Sequence, residues 1–300
     1  MNRKILVIGS SNTDMTIKSG RLPSIGETVL GGVFRMGPGG KGANQAVAAQ
    51  RLGGDVEFVC KLGRDVFGDN AIESYAKEGI GTSHILRSDK ASGTALILVD
   101  AKADNCIAVA PGANADLSPE DIRSLAPVIQ SADYLILQLE IPVDSVIEAA
   151  RIAHEAGVYV ILNPAPACTL PAALFSYISL CVPNQTEISL LGDVEVTDDS
   201  SLNLAVRNVR EKGISDVVVT LGSRGSLVIS GNQRVFVPSH KVKAVDTTAA
   251  GDTFCGAIAV GLSEGMTLVE ASCFATRASA LTVQKMGAQE SIPFRKDISM

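Results

Sequence analysis

The feature that most restricts what this chain can fold into is a regular alternation of short apolar runs with amphipathic stretches. It begins at residue 134 and continues to the C-terminal region. Residues 134–139, 158–162, 179–182 and 217–221 read as strands, each dominated by large apolar side chains. Residues 143–156, stopped by Gly157, and residues 200–212 carry the helical period between them. An apolar helix opens after Gly251, and a long last helix runs from Thr267 to about Met286. Repeated strand–helix units predict a mainly parallel sheet flanked by helices. Residues 5–8 and 56–60 fit the same sheet, because strands buried on both faces are mainly apolar. At 300 residues the chain fits one large domain or a domain with an insertion.

Two other stretches have a different period. Residues 15–18 and 28–35 form short alternating runs around Pro23 and Gly26, and residues 94–100 and 106–110 read as a hairpin across a polar turn at 101–105. Together they predict a small sheet separate from the large one. Ser118-Pro-Glu-Asp121 reads as a helix start, with a cap, a proline at the first position and acids in the first turn.

A net charge of −6 argues against a nucleic-acid surface, and no run of basic residues overrides it. No segment has the roughly 18 apolar residues that a membrane span needs. The apolar run after Arg3 and Lys4 is too short for a signal peptide. Six cysteines without C-x-x-C spacing read as reduced residues of a cytoplasmic protein, and three scattered histidines do not suggest zinc.

The chemistry concentrates in two small-residue stretches. Residues 244–256 pass from an extended run through Ala249, Ala250 and Gly251 into a helix, where backbone N–H groups can converge on an anion. Asp252 stands there. It reads either as a helix cap or as a carboxylate that takes a proton from an attacking hydroxyl beside a bound phosphate. The second stretch is residues 36–45, rich in glycine. It fits G-x-G-x-x-G, a weak dinucleotide signal, but lacks the preceding buried strand. It is not a Walker A loop, since Arg35 stands where Gly is required and Gly42 follows Lys41. It reads either as a helix entry or as backbone that approaches a small polar ligand, with Lys41 and Asn44 reaching it. In addition, Asn12, Glu140, Asn163, Asn184 and Gly222 fall at the carboxyl ends of expected strands, the rim where open α/β sheets bind ligands.

Asp-Thr-Thr-Ala-Ala-Gly-Asp-Thr-Phe at 246–254 resembles the C-terminal motif of the ribokinase-like (PfkB) sugar kinases, and Gly-Gly-Lys-Gly-Ala-Asn-Gln-Ala at 39–46 is similar to their N-terminal motif. The resemblance covers essentially the whole chain. It implies a three-layer α/β sandwich formed by residues 1–11, 41–91 and 113–300, with a β-sheet lid from 12–40 and 92–112. It implies an ATP-dependent kinase for the primary hydroxyl of a pentose, with D-ribose favoured by Asn12-Thr13-Asp14. Kinases of deoxyribose, fructose or a nucleoside, or a non-catalytic sensor, are the alternatives, and the glycine pattern leaves a nicotinamide oxidoreductase as a third class.

Carried over residue by residue, the resemblance makes Asp252 the base and gives the amides of Ala249, Ala250 and Gly251 to the transferred group. Asn12, Asp14, Gly40, Lys41, Asn44 and Glu140 become the sugar set. Asn184, Thr220, Gly222, Ser223, Gly225 and Gly251 become the ATP set, joined by Thr276, where the family usually carries Asn near the adenine. Glu187 would act on Mg2+ through water. Asp246, Thr248, Thr282, Lys285, Gly287 and Ser291 match a K+ site, the lysine through its carbonyl. A homodimer joined through the lid is expected, with neither nucleic acid nor membrane as partner.

Overall fold

The computed structural model describes residues 3–102 and 104–298, so the expected turn at 101–105 lies partly outside the described residues. The chain opens with β1 (Lys4–Ile8), then β2 (Asn12–Lys18) and β3 (Val33–Gly39), and enters α1 (Lys41–Arg51). Strands β4 (Asp55–Val59) and β5 (Lys61–Gly63) precede α2 (Val66–Glu78). Next come β6 (Leu86–Ser88) and the hairpin β7 (Gly93–Val99) and β8 (Asn105–Ala110). Helices α3 (Pro119–Ser124) and α4 (Ala126–Gln130) lead to β9 (Tyr134–Leu137), α5 (Val143–Glu155) and β10 (Tyr159–Leu162). After α6 (Ala172–Phe175) and β11 (Leu180–Cys181) follow α7 (Gln185–Leu191), α8 (Asp199–Glu211) and β12 (Asp216–Thr220). The chain finishes with β13 (Gly225–Ser230), β14 (Gln233–Pro238), α9 (Ala250–Ser263) and α10 (Leu268–Thr282).

The large sheet has the order β14-β13-β12-β11-β10-β9-β1-β4. It is parallel from β12 to β4, with β13 and β14 antiparallel at the edge. Alternate side chains of each central strand enter two different cores. Leu6, Ile8, Leu135, Leu137, Val160 and Leu162 meet α3 to α8 on one side. Ile5, Val7, Ile136 and Ile161 meet α1, α2, α9 and α10 on the other. Burial on both faces is why these strands read as unbroken apolar runs, and the result is a three-layer sandwich.

The small sheet, order β3-β2-β7-β8, is separate from the large one. Its second expected run is displaced: β3 covers 33–39 rather than 28–35, so the glycine-rich stretch is partly strand. Pro38 is tolerated there because β3 is an edge strand with no outer partner for the missing N–H. Helix α1 accordingly starts at Lys41, earlier than the apolar run from Ala46 suggests. The last helix ends at Thr282, not Met286, because the chain turns over Val283, whose carbonyl takes the Val245 and Asp246 N–H groups. The β13–β14 hairpin was not anticipated; Gly231, at φ 54°, turns it.

Helix α9 crosses α1 at backbone distance. A Cβ on Gly256 would lie 2.8 Å from both Ala48 Cβ and Gln45 O. That contact brings the first turn of α9 against the first turn of α1, at the carboxyl ends of β1, β9 and β10.

Candidate active site

Two helix N-termini meet at this rim. Gly40, the N-cap of α1, has φ 90°, and a Cβ there would lie 2.8 Å from Asn12 N, so only glycine fits without strain. Glu140 fastens the helix: its Oε2 accepts from Ser10 Oγ (2.6 Å) and from the Lys41 N–H (3.0 Å). The N-cap of α9 is Ala249, in the left-handed region at φ 60°, and it makes no side-chain cap bond. Asp252 is therefore not the cap. It is the third helical residue, buried, with Oδ2 accepting from Asn44 Nδ2 (2.9 Å) and Oδ1 from Gln45 Nε2 (3.0 Å).

Of the amides expected to face an anion, that of Ala250 turns back onto Thr247 O at 3.3 Å. Those of Ala249 and Gly251, with that of Asp252 itself, have no hydrogen bond among the described residues. A Cβ on Gly251 would meet nothing within 4 Å. Packing within the chain therefore does not require glycine here, whereas a ligand lying against the backbone would.

The charges are unbalanced. Burial pushes the Asp252 carboxyl above its ordinary range; the Lys41 charge and the Asn44 and Gln45 bonds act the other way, and Glu140 adds to the rise. Burial works against the Lys41 ammonium, but Asp252, Glu140 and Glu187 outweigh it and raise its pKa. Asp14, on β2, is pushed up to about 6 by burial first, then by Glu140, Glu290 and Asp252. Its carboxylate lies over the bare Cα of Gly39, where a Cβ would come within 2.2 Å of Oδ2. Asn12 Oδ1 accepts from Asn114 Nδ2 (2.7 Å), which leaves the Asn12 amide donors free to face the cleft.

Asn44 gives one Nδ2 hydrogen to Asp252 and takes Gln289 Nε2 on Oδ1 at 3.3 Å, which leaves its second N–H for the expected sugar contact. Gln45, Gln138 and Asn114 were not singled out. A helix starting at Lys41 would have placed Gln45 on its inner face, but the glycines around Lys41 concealed that start.

On the side expected to hold the nucleotide, Asn184 and Glu187 form a reciprocal cap on α7. Asn184 Oδ1 accepts the Glu187 N–H (2.9 Å), and Glu187 takes the Asn184 N–H and Nδ2 at 2.8 Å each. Burial raises the Glu187 pKa, against the pull of the Asn184 N–H and Lys41. Both its oxygens are already engaged, so the donor set suits a cation held through water rather than directly. Asn184 and Thr220 are bridged across the rim, and exposed Gly222 and Ser223 follow. Gly225 does not belong to that open loop. It is buried at the start of β13, where a Cβ would lie 2.1 Å from Val237 O. Thr276 is buried in α10 with its hydroxyl donating to Ser272 O (2.8 Å), so that hydroxyl is spent within the helix.

Two of the expected monovalent-cation residues, Thr248 and Gly287, are tied to a third, Asp246. Asp246 Oδ1 takes the Thr248 N–H (2.9 Å) and hydroxyl (2.7 Å), and Oδ2 takes the Gly287 N–H (2.9 Å). Thr282 and Ser291 are buried nearby in sequence, with hydroxyls donating to Thr253 Oγ1 (3.0 Å) and Ala288 O (2.7 Å). The Lys285 N–H donates to Thr282 O (3.1 Å). An all-oxygen set of carbonyls, hydroxyls and one carboxylate fits a hard monovalent cation. Among the described residues, no three His, Cys, Asp or Glu side chains could hold a metal together.

A three-layer α/β fold with an acid beside open helix amides suits a carbohydrate kinase. The family model described as pfkB family carbohydrate kinase matches residues 2–295, and the chain belongs to this family. It is similar to the ribokinase of Haemophilus influenzae, 42% identical over 99% of this chain and 97% of that one. A deoxyribokinase of Salmonella typhi is 38% identical over 96% and 95% of the two chains. The solved Arabidopsis thaliana ribokinase, complexed with ribose and ATP, superposes with a TM-score of 0.92 at 33% identity, covering 99% and 98%.

Proposed function

We propose that this chain transfers the γ-phosphoryl group of ATP to the primary hydroxyl of D-ribose, forming D-ribose 5-phosphate and ADP. The observation that carries the reading is the Asp252 carboxylate, held by two amide donors beside the unpaired N–H groups of the α9 N-terminus. Asp252 accepts the proton as the sugar oxygen attacks. The amides of Ala249 and Gly251 stabilise charge on the transferred group, and Lys41 neutralises the surrounding carboxylates. Asn12 and Asp14 bind sugar hydroxyls. Asn184, Thr220, Gly222 and Ser223 line the nucleotide. Glu187 would hold Mg2+ through water, and that ion would supply positive charge to offset the phosphates. Asp246, Thr248 and Ser291, with the Thr282, Lys285 and Gly287 carbonyls, would hold K+.

Residues 12–40 and 92–112 would act as a lid that excludes water from the sugar. The register puts Asp14 on one face of the small sheet and Ile17, Phe34, Met36 and Leu96 on the other, all exposed. An apolar outer face of this kind needs cover, and the lid of a second copy would supply it. The Phe34→Lys, Leu96→Lys double variant is expected to run as a monomer in light scattering where the parent runs as a dimer; a dimeric variant would deny this interface. The same reading puts the protein in the cytoplasm, where its free thiols stay reduced. No described helix is long and apolar enough to cross a membrane.

The function is tested by ADP release with ribose, 2-deoxyribose, fructose and a nucleoside, each with and without K+. Ribose is expected to give the highest kcat/KM, and K+ to increase it. Preference for deoxyribose would keep the chemistry and change the acceptor. No sugar-stimulated release would favour a sensor.

A further inference from the structure

Behind Asp252 lies a buried row of amides, Gln45, Gln138 and Asn163. Gln45 Nε2 donates to Asp252 Oδ1 (3.0 Å) and to Asn163 Oδ1 (3.1 Å). Gln45 Oε1 accepts from Gln138 Nε2 (2.7 Å), and Asn163 Nδ2 donates to the Val182 carbonyl (3.0 Å). Gln45 and Gln138 are both 0% exposed, and Gln138 Oε1 has no partner among the described residues.

The direction of this row is dictated from a point that cannot turn over. A backbone carbonyl only accepts, so Asn163 must present Nδ2 to Val182 and therefore Oδ1 to Gln45. That oxygen requires the Gln45 Nε2 group, whose second hydrogen reaches Asp252. Gln45 Oε1 is then left facing Gln138, which must present its own Nε2 and strand its oxygen. A buried orphan acceptor is costly, and here it marks the end of a chain of donors all aimed one way. Gly9 gives the stranded oxygen room: a Cβ there would lie 1.9 Å from it.

We infer that Gln45 is a positioning residue for phosphoryl transfer, its amide locked from behind by Asn163 and Gln138 so that it always donates to Oδ1 of Asp252. This rests on the reading of Asp252 as the base. A donor that cannot turn round favours the ionised carboxylate and fixes which lone pairs remain for the sugar hydroxyl. It works with Lys41, at the head of α1, and against Glu140, Glu187 on α7 and Asp14 on β2. Burial and those acids otherwise favour the protonated form. Cys255, on α9 itself, stays a neutral thiol because burial and Asp252 raise its pKa.

The test is kcat against pH at saturating ribose and ATP for the parent, Gln45→Met, Gln138→Met and Asp252→Asn. Gln45→Met is expected to move the acid limb to higher pH, with kcat about tenfold below the parent near pH 6 and within about threefold near pH 8.5. Its KM for ATP should stay within about twofold, since the amide touches no nucleotide residue. Gln138→Met, which leaves both bonds to Asp252 in place, should move the limb the same way by less, and it decides the question if Gln45→Met fails to fold. A loss that is uniform across pH, or a limb at its parental position in both variants, would overturn the inference. Parental turnover by Asp252→Asn would instead remove the base, and this proposal with it.

Discussion

An Asp252→Asn chain is expected to phosphorylate ribose about 10²–10⁴-fold more slowly than the parent at saturating substrates, with KM values for ATP and ribose within a few-fold. The substitution keeps the shape of the side chain and removes its capacity to take a proton. It also sets one new N–H against a donor, because Asp252 now accepts from Asn44 on one oxygen and from Gln45 on the other. That local conflict is offset in part by the loss of a buried negative charge which burial already disfavours. The fold should therefore persist, as a thermal melt will show. The unpaired amides of Ala249 and Gly251 remain to bind the phosphates, so calorimetric titration with ATP should give parental affinity. A fall in kcat with binding intact separates a group acting in the transition state from one that only binds. Turnover at the parental rate would mean that another group takes the proton.

The large sheet was legible because its central strands are buried on both faces and carry no polar residue to break the pattern, as in Ile5–Ile8. The rim was legible for a related reason. When a buried strand ends, the first polar residue after it, such as Asn184 after β11, stands at the sheet's carboxyl edge. The parts that stayed hidden depend on contacts distant in sequence. Nothing local to Pro38 shows that β3 is an edge strand; that follows from β2 having β7 as its other neighbour. Gly225 looks like another loop glycine until the return of β14 brings Val237 O over it. The Asp252 dipeptide alone cannot separate a cap from a base. That distinction rests on Asn44 and Gln45, more than 200 residues away, reaching it across the Gly256 contact.

Asp14→Asn should have the second-largest effect, of opposite sign on stability and on activity. The Asp14 carboxylate has no hydrogen bond among the described residues, and burial, Glu140, Glu290 and Asp252 push it up to about 6. Its folded pKa lies above the ordinary value for an unfolded chain, about 3.9, so the ionised form is disfavoured by folding. The stability this group contributes is complete below about pH 4 and is lost as pH rises through about 6. Asn carries no charge to desolvate. The sugar-free variant is therefore expected to be more stable than the parent by roughly 1–3 kcal/mol near pH 8, the two melts converging below about pH 4. Activity moves the other way. Two charge-assisted bonds to sugar hydroxyls, each of about 1.5–3 kcal/mol, are weakened or lost, which lowers kcat/KM for ribose by about 10²–10⁴-fold. In the parent, the ribose KM should climb as pH falls through about 6, because a protonated Asp14 gives up acceptor capacity. Melts of both chains from pH 4 to 8, with and without ribose, test all of this together. A variant that melts below the parent at pH 8 without sugar would show that Asp14 is already satisfied within the chain. The expected reversal, in which ribose stabilises the parent strongly and the variant hardly at all, follows if the cleft holds this carboxylate unpaired so that only the sugar completes it.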